Sequence, residues 1–374
     1  PLPNTPGNTL TGANNYTANA SVGGDNDQYN FRIDQNVSDK QRIFGRVTFW
    51  NARTLPKDPF RLKTYPGSEG PEYFNTKQTV IADTYVFSPN IIGDLRAAWL
   101  RFPFGREPEM LGFDVTKAGL PAYLNNLPIR TLPAVNVQGM SATGQVYIFA
   151  RNDSISLAPS LTHIRGRHTF KYGGEIRRLT FNFTQVGSPV GSYVFDNLFT
   201  SANPVSPTVN GVTTGLGAAS FLLGYGASGT LTVPSLTAGG MLYQGYYVND
   251  TFQINSKLTL NIGARWELPG PWTERFDRLT VFLPNTPNPI VPEYKGMIGL
   301  VKSAERPTRR QMDKQYNLIA PRVGIAYRVT DKLVVRTGYG IFYVPNDVTF
   351  AMSPYLAPIN SITNTWASTL DSSL

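Results

Sequence analysis

Five short polar turns, each set between two strand-like runs, constrain this chain more than any other feature. The turns are Ser38-Asp39-Lys40, Ser88-Pro89-Asn90, Arg165-Gly166-Arg167, Asn255-Ser256-Lys257 and Thr330-Asp331-Lys332, inside paired runs at 29–50, 79–102, 154–183, 243–267 and 318–343. Between the pairs lie residues 51–76, 103–146, 184–241 and 268–317, stretches of 26, 44, 58 and 50 residues that hold 20 of the 29 prolines. Tight turns at one end and long loops at the other are the grammar of a membrane β-barrel. A sandwich has short connections at both ends, and long structureless loops are uncommon in compact soluble domains. The expectation is therefore all-β: an antiparallel transmembrane β-barrel segment of about ten strands, with short periplasmic turns and long extracellular loops.

Side-chain alternation agrees with strands. In the fourth pair Leu258, Leu260, Ile262, Ala264 and Trp266 oppose Thr259, Asn261, Gly263, Arg265 and Glu267. In the fifth, Val323, Ile325, Tyr327 and Val329 oppose Arg322, Gly324, Ala326 and Arg328, and Leu333, Val335, Tyr339 and Ile341 oppose Arg336, Gly338 and Gly340. This is period two, one face apolar and aromatic and the other polar or small. Alternation alone fits a soluble β-sandwich equally well, so loop asymmetry carries the distinction. The second pair alternates less cleanly, Pro159 implies a bulge or displaced strand start in the third, and 1–28 and 344–374 read as loop or edge material.

Composition removes several functions. No apolar run approaches the ~20 residues of a membrane helix, so a membrane-spanning form must be a closed barrel. With no cysteine there is no disulfide, thiolate metal site or cysteine nucleophile. The net charge of +9 arises from scattered Lys and Arg with no run of five, which speaks against nucleic acid. The opening PLPNTPGNTL carries neither a basic nor an apolar leader region, which places any secretory signal upstream or already removed.

The candidate chemistry is sparse. His163 and His168 flank the Arg165-Gly166-Arg167 turn, where polar turn residues are a better reading than a metal pair or the histidine of a surface protease. Asp25 and Asp27 lack the glycine and terminal glutamate of a calcium loop, and read as an Asx-rich turn feeding a strand. Gly338 and Gly340 form a lone Gly-x-Gly without a phosphate loop. No enzyme, metal or cofactor is expected. The expected lumen face carries Arg32, Arg42, Arg46, Arg177, Arg265, Arg322, Arg328 and Arg336, with Lys171, Asp34, Glu175 and Glu267, so basic groups exceed acidic ones. Such a face attracts anionic cargo or grips an acidic partner surface; its bland alternative is a solvated, internally paired wall. Trp50, Tyr73, Phe74, Trp99, Phe102, Trp266 and Trp272 are candidates for interfacial aromatic girdles.

Five stretches resemble the barrel of TonB-dependent outer-membrane receptors, in particular the Oar-like group. They are DQYNFRIDQNVSDKQRIFGRVTF at 27–49, LTHIRGRHTFKYGGEIRR at 161–178, FLLG at 221–224, YQGYYVNDTFQINSKLTLNIGARWELPGPWTERFDRL at 243–279 and APRVGIAYRVTDKLVVRTGYGIFY at 320–343. The last two are the most specific, because turn, glycines, arginines and aromatics coincide. The resemblance implies a barrel filled by a plug and energised through a TonB box by the TonB complex. Plug, box and aromatic-terminated closing strand are not in these residues, so the resemblance is to the barrel portion only. Expected partners are outer-membrane lipid, TonB through an upstream plug, and an unidentified bulky cargo met by loops 103–146, 184–241 and 268–317 in the outer membrane of a Gram-negative-type bacterium. A barrel that acts as an adhesin or scaffold for protein or polysaccharide, without transport, is the rival function.

Overall fold

The computed structural model describes residues 2–7, 14–61, 63, 70–205, 207–209, 211–234, 237–343 and 361–369. Ten long strands form one sheet in strict sequence order, every neighbour antiparallel. They are β1 (Gly23–Ser38), β2 (Gln41–Leu55), β3 (Glu72–Ser88), β4 (Ile91–Arg106), β5 (Tyr147–Arg165), β6 (His168–Val186), β7 (Thr237–Gln253), β8 (Leu258–Pro269), β9 (Leu318–Thr330) and β10 (Leu333–Gly340). A two-residue strand, Thr273–Glu274, joins the sheet beside β7. Most strands exceed the 9–11 residues that a tilted strand needs to cross a bilayer. β5 and β6 have 19 each and extend well past that length toward the long-loop end. Among the described residues no helix is long and apolar enough to cross a membrane.

The short turns share a local device. Ser38, Ser88 and Thr330 each accept, on the side-chain hydroxyl, the backbone N–H two residues on, at 3.2, 3.4 and 3.3 Å. A hydroxyl that replaces a backbone acceptor in this way fixes a turn locally. In each of these three hairpins the residue before that Ser or Thr drops out of the ladder, at Val37, Phe87 and Val329. Asn255 does the equivalent work in the fourth turn, accepting from Lys257 N and Leu258 N at 2.9 Å each. In the Arg165-Gly166-Arg167 turn the backbone takes φ +60° at Gly166, a conformation that glycine adopts without steric cost. Turn carbonyls then bind the adjacent hairpin: Lys40 O accepts from Val86 N at 2.7 Å, and Asn90 O from Ile164 N at 2.8 Å. This end of the sheet is thus stitched hairpin to hairpin.

Two expectations fail here. Residues 23–28 are strand, not turn: Asp25 and Asp27 lie in β1 opposite Arg53 and Asn51. Pro159 brings no bulge, because Leu157↔Ile176 and Ser160↔Gly173 keep one register on either side of it. Gly173 allows this, since a Cβ there would stand 2.5 Å from the Pro159 carbonyl oxygen.

The long loops are better ordered than their proline content suggests. Ser361–Ala367, Ser228–Pro234, Ser192–Phe195 and Ala134–Val137 make a second, four-stranded sheet, which joins segments distant in sequence. Val115, Leu124 and Val190 form a small buried core with Phe113, Leu120, Leu127 and Leu231 around it. The segment after β8 forms a hairpin, Thr280–Pro287 with Lys295–Leu300. Trp272, Leu279 and Val301 of this segment pack with Phe181 of β6 and Met241 of β7 as the other buried core.

Candidate functional site: an arginine-bearing sheet face

Register decides which side chains share a face. One row crosses the sheet as Ile33, Gly45, Ile81, Ala97, Leu157 and Ile176, each opposite the next. Ile81 and Leu157 are 55% and 45% exposed, so among the described residues this apolar stripe stays uncovered. Farther along, Tyr246, Trp266 and Ile319 continue it. An apolar band of this extent on one face of a sheet suits lipid contact.

The adjacent row runs Arg32, Arg46, Val80, Ala98, Ser156, Arg177 and Tyr243, and faces the other way. By the same parity Arg42, Arg265, Arg322, Arg328 and Arg336 belong to this second face, so all eight arginines singled out from sequence share it. The structure does not gather them into one cluster. Arg32 and Arg42 meet on Asp34, with Arg32 Nε at 2.6 Å and Arg42 Nη2 at 3.0 Å. Arg322, Arg328 and Arg336 form no ion pair with any described residue, while Arg322 Cζ lies 4.7 Å from the Phe342 ring centre.

The most connected group sits at the centre of β6–β8. Glu175, Gly245 and Glu267 are direct neighbours across three strands. Arg265 Nε donates to Glu267 at 2.8 Å, and its Nη2 donates to the Tyr243 hydroxyl at 2.7 Å and lies 3.8 Å from Glu175. Tyr243 in turn donates to Glu267, and Arg177 to Glu175. Gly245 makes room for this: a Cβ there would stand 2.4 Å from Arg265 Nη2 and 2.8 Å from the Tyr243 oxygen. Gly245→Val is accordingly expected to push the guanidinium off Glu267 and to cost about 1–3 kcal/mol, read as a lower thermal unfolding temperature in detergent. Tyr243, the hub, was not legible as such, because its partners are fixed by cross-strand register.

Aromatic placement corrects the sequence-based girdle. Tyr73, Trp99 and Trp266 have the parity of the apolar stripe, but Trp50, Phe74 and Phe102 lie on the arginine face and stack there. Trp50 and Phe74 are 5.4 Å apart and Phe74 and Phe102 5.8 Å. Trp272 is 1% exposed, inside the loop core. His168 is more than a polar turn residue: its Nδ1 is 2.6 Å from Asp250 and its ring stacks on Phe252 at 4.1 Å. Asp250 is the partner that the sequence did not reveal. No group of three metal-ligating side chains occurs among the described residues.

In the loop after β8, Asp277 binds Lys302 at 2.8 Å and also Arg309. The Lys302 contact first, and Arg309 second, hold its carboxyl below the ordinary carboxylate range. A lowered folded-state pKa gives stabilisation that is complete above the ordinary pKa of about 4 and lost as pH falls through the lower folded value. Amide protection factors in 275–311, corrected for the intrinsic pH dependence of exchange, are thus expected to stay constant from pH 8 to about 5 and to fall below about 4, with a smaller acid response in Asp277→Asn.

The family model described as "Outer membrane beta barrel domain" matches residues 1–373. A search of the curated proteins finds no match. The chain is similar to FpvAI from its complex with pyocin S2, with TM-score 0.51 at 10% identity, covering 88% of this chain and 36% of that one. It is also similar to the ferric-catecholate import receptor Fiu from E. coli K12 in its closed form (0.46, 12%, 85% and 43%). A third similar structure is the ferric yersiniabactin uptake receptor FyuA from Yersinia pestis (0.43, 10%, 84% and 37%). The chain spans less than half the length of each. At such identities the likeness speaks to fold, and the open ten-stranded sheet corresponds to part of a barrel wall.

Proposed function

Since the chain belongs to the outer membrane β-barrel domain family, and so lies in the outer membrane of a Gram-negative-type cell, we propose that it is wall and loops of a TonB-dependent receptor that binds bulky cargo and moves it across that membrane. The observation that carries this reading is the two-faced sheet. One face presents an uncovered apolar stripe; the other presents eight arginines, of which Arg46, Arg322, Arg328 and Arg336 have no acidic partner among the described residues. A surplus of cations on the face turned from lipid suits anionic cargo or the acidic surface of a plug. The ordered loop cores at the opposite end from the short turns supply a rigid mouth, and binding residues concentrate on loops held in this way. The segments at 243–279 and 320–343 that resemble Oar-like receptors favour the narrower grouping. The reading assigns the chain no bond chemistry and no cofactor; energy comes from the TonB complex through a plug.

The test is isolation of the natural polypeptide from outer membranes in detergent, with its intact mass and its binding to a TonB carboxy-terminal domain measured. A mass well above 41.2 kDa and saturable TonB binding are expected. A polypeptide that does not bind TonB would leave the scaffold function standing and remove energised transport.

A further inference from the structure

Where the apolar stripe ends toward the long loops, the outward face becomes basic. Along β6 the outward positions read Tyr172, Gly174, Ile176, then Arg178, Thr180, Asn182; along β5 they read Leu157, Ile155, then Asp153, Arg151. Beside this boundary lies a cavity of about 390 Å³, lined by Arg151, Arg178, Arg275 and Arg309. Its floor is the backbone of Gly239 and Gly240 and the short strand Thr273–Glu274.

The four arginines divide into two kinds. Arg151 and Arg309 have acidic neighbours: Arg151 Nε lies 3.3 Å from Asp153 as an ion pair without a hydrogen bond, and Arg309 Nη2 donates to the carbonyls of Glu274 and Arg275 at 2.9 and 3.2 Å, with Asp277 on its Nε. Arg178 and Arg275 are exposed and form no ion pair with any described residue. Arg178 reaches over Gly240, where a Cβ would stand 2.8 Å from its Nη2. The acid in the lining, Glu274, is 1% exposed and already accepts from Ala238 N, Phe276 N and Arg278 N at 3.1, 2.8 and 3.1 Å. It is engaged with backbone amides, which leaves the two free guanidiniums to an outside anion.

We propose that this cavity is a phosphoryl-binding site at the outer-leaflet headgroup level, in which Arg178 and Arg275 hold a phosphate group between them. Guanidiniums bind phosphate through paired, charge-assisted hydrogen bonds, which an ammonium does not reproduce. The location favours a lipid source, since arginine is tolerated on a barrel's outer face near the interface and basic pockets there meet anionic headgroups. A soluble phosphate would use the same chemistry. This inference stands apart from transport, because the cavity is on the outward face.

The test uses the full natural polypeptide in detergent and native mass spectrometry with three probes: lipid A, its dephosphorylated form, and inorganic pyrophosphate. Lipid A is expected to bind and its dephosphorylated form to be lost, with affinity falling about tenfold for each of Arg178→Gln and Arg275→Gln. Both residues are exposed, so the variants are expected to keep the heat-modifiable gel mobility of the folded barrel. Arg178→Lys is expected to recover only part of the loss. Pyrophosphate bound as tightly as lipid A, and lost in the same variants, would support the phosphoryl site and assign it a soluble ligand. Equal binding of lipid A by the folded double Gln variant and the parent, or of both lipid forms by the parent, overturns the proposal.

Discussion

Leu157→Arg is expected to cost about 2–4 kcal/mol, the depth-dependent penalty for arginine on the lipid face of a barrel near the bilayer midplane. Leu157 is suited to the measurement because it lies in the middle of the uncovered row, between Ala97 and Ile176. The neighbouring substitution Ser156→Glu supplies the contrast. Ser156 points to the other face, directly opposite Arg177, so a carboxylate there gains a cross-strand partner and is expected to stay within about 0.5 kcal/mol of the parent. Equilibrium unfolding from lipid vesicles reads both. If Ser156→Glu proved the more costly of the two, the assignment of faces would be inverted, and with it the lumen placement of all eight arginines.

The hairpins were legible from sequence because everything that makes them is local. A hydroxyl at Ser38, Ser88 or Thr330 sets the turn, and period two sets the faces on either side of it. The same parity was available for Trp50, which stands four residues from Arg46 and so must share its face. Treating strand-end aromatics as girdle residues overrode that count, and the structure returns Trp50, Phe74 and Phe102 to the arginine side. The loop cores were not legible. Phe181, Met241, Trp272 and Val301 come from four separate segments, and no short-range pattern announces contacts of that sequence separation. The outward cavity was hidden for the same reason: Arg178 and Arg275 approach each other only after the residues following β8 double back along β7. Asp25 and Asp27 show the opposite error. Their residue types favour a turn, yet pairing with β2 extends the strand through them, because a formed ladder outweighs weak local preference.

Trp272→Ala is expected to be the most damaging single change in the long-loop region, at about 3–5 kcal/mol. The indole is 1% exposed and joins the hairpin loop to Phe181 and Met241 on the sheet, so its loss opens a cavity in the apolar core that fastens that loop. Its Nε1 is buried without a hydrogen-bond partner, a defect that Trp272→Phe removes while it keeps most of the ring. That variant is therefore expected to lose less than about 1.5 kcal/mol. Because the long strands β5–β7 hold their ladder independently, the damage is expected to be local: proteolysis within 275–311 rises sharply while heat-modifiable gel mobility of the barrel persists. The same loosening detaches Arg275 and Arg309 from the outward cavity and leaves Arg151 and Arg178 on the sheet. Lipid A binding should consequently fall in Trp272→Ala and survive in Trp272→Phe, a pattern that ties the phosphoryl site to the fastening of this loop rather than to charge alone. Global unfolding in Trp272→Ala would show instead that the loop core is part of what holds the wall together.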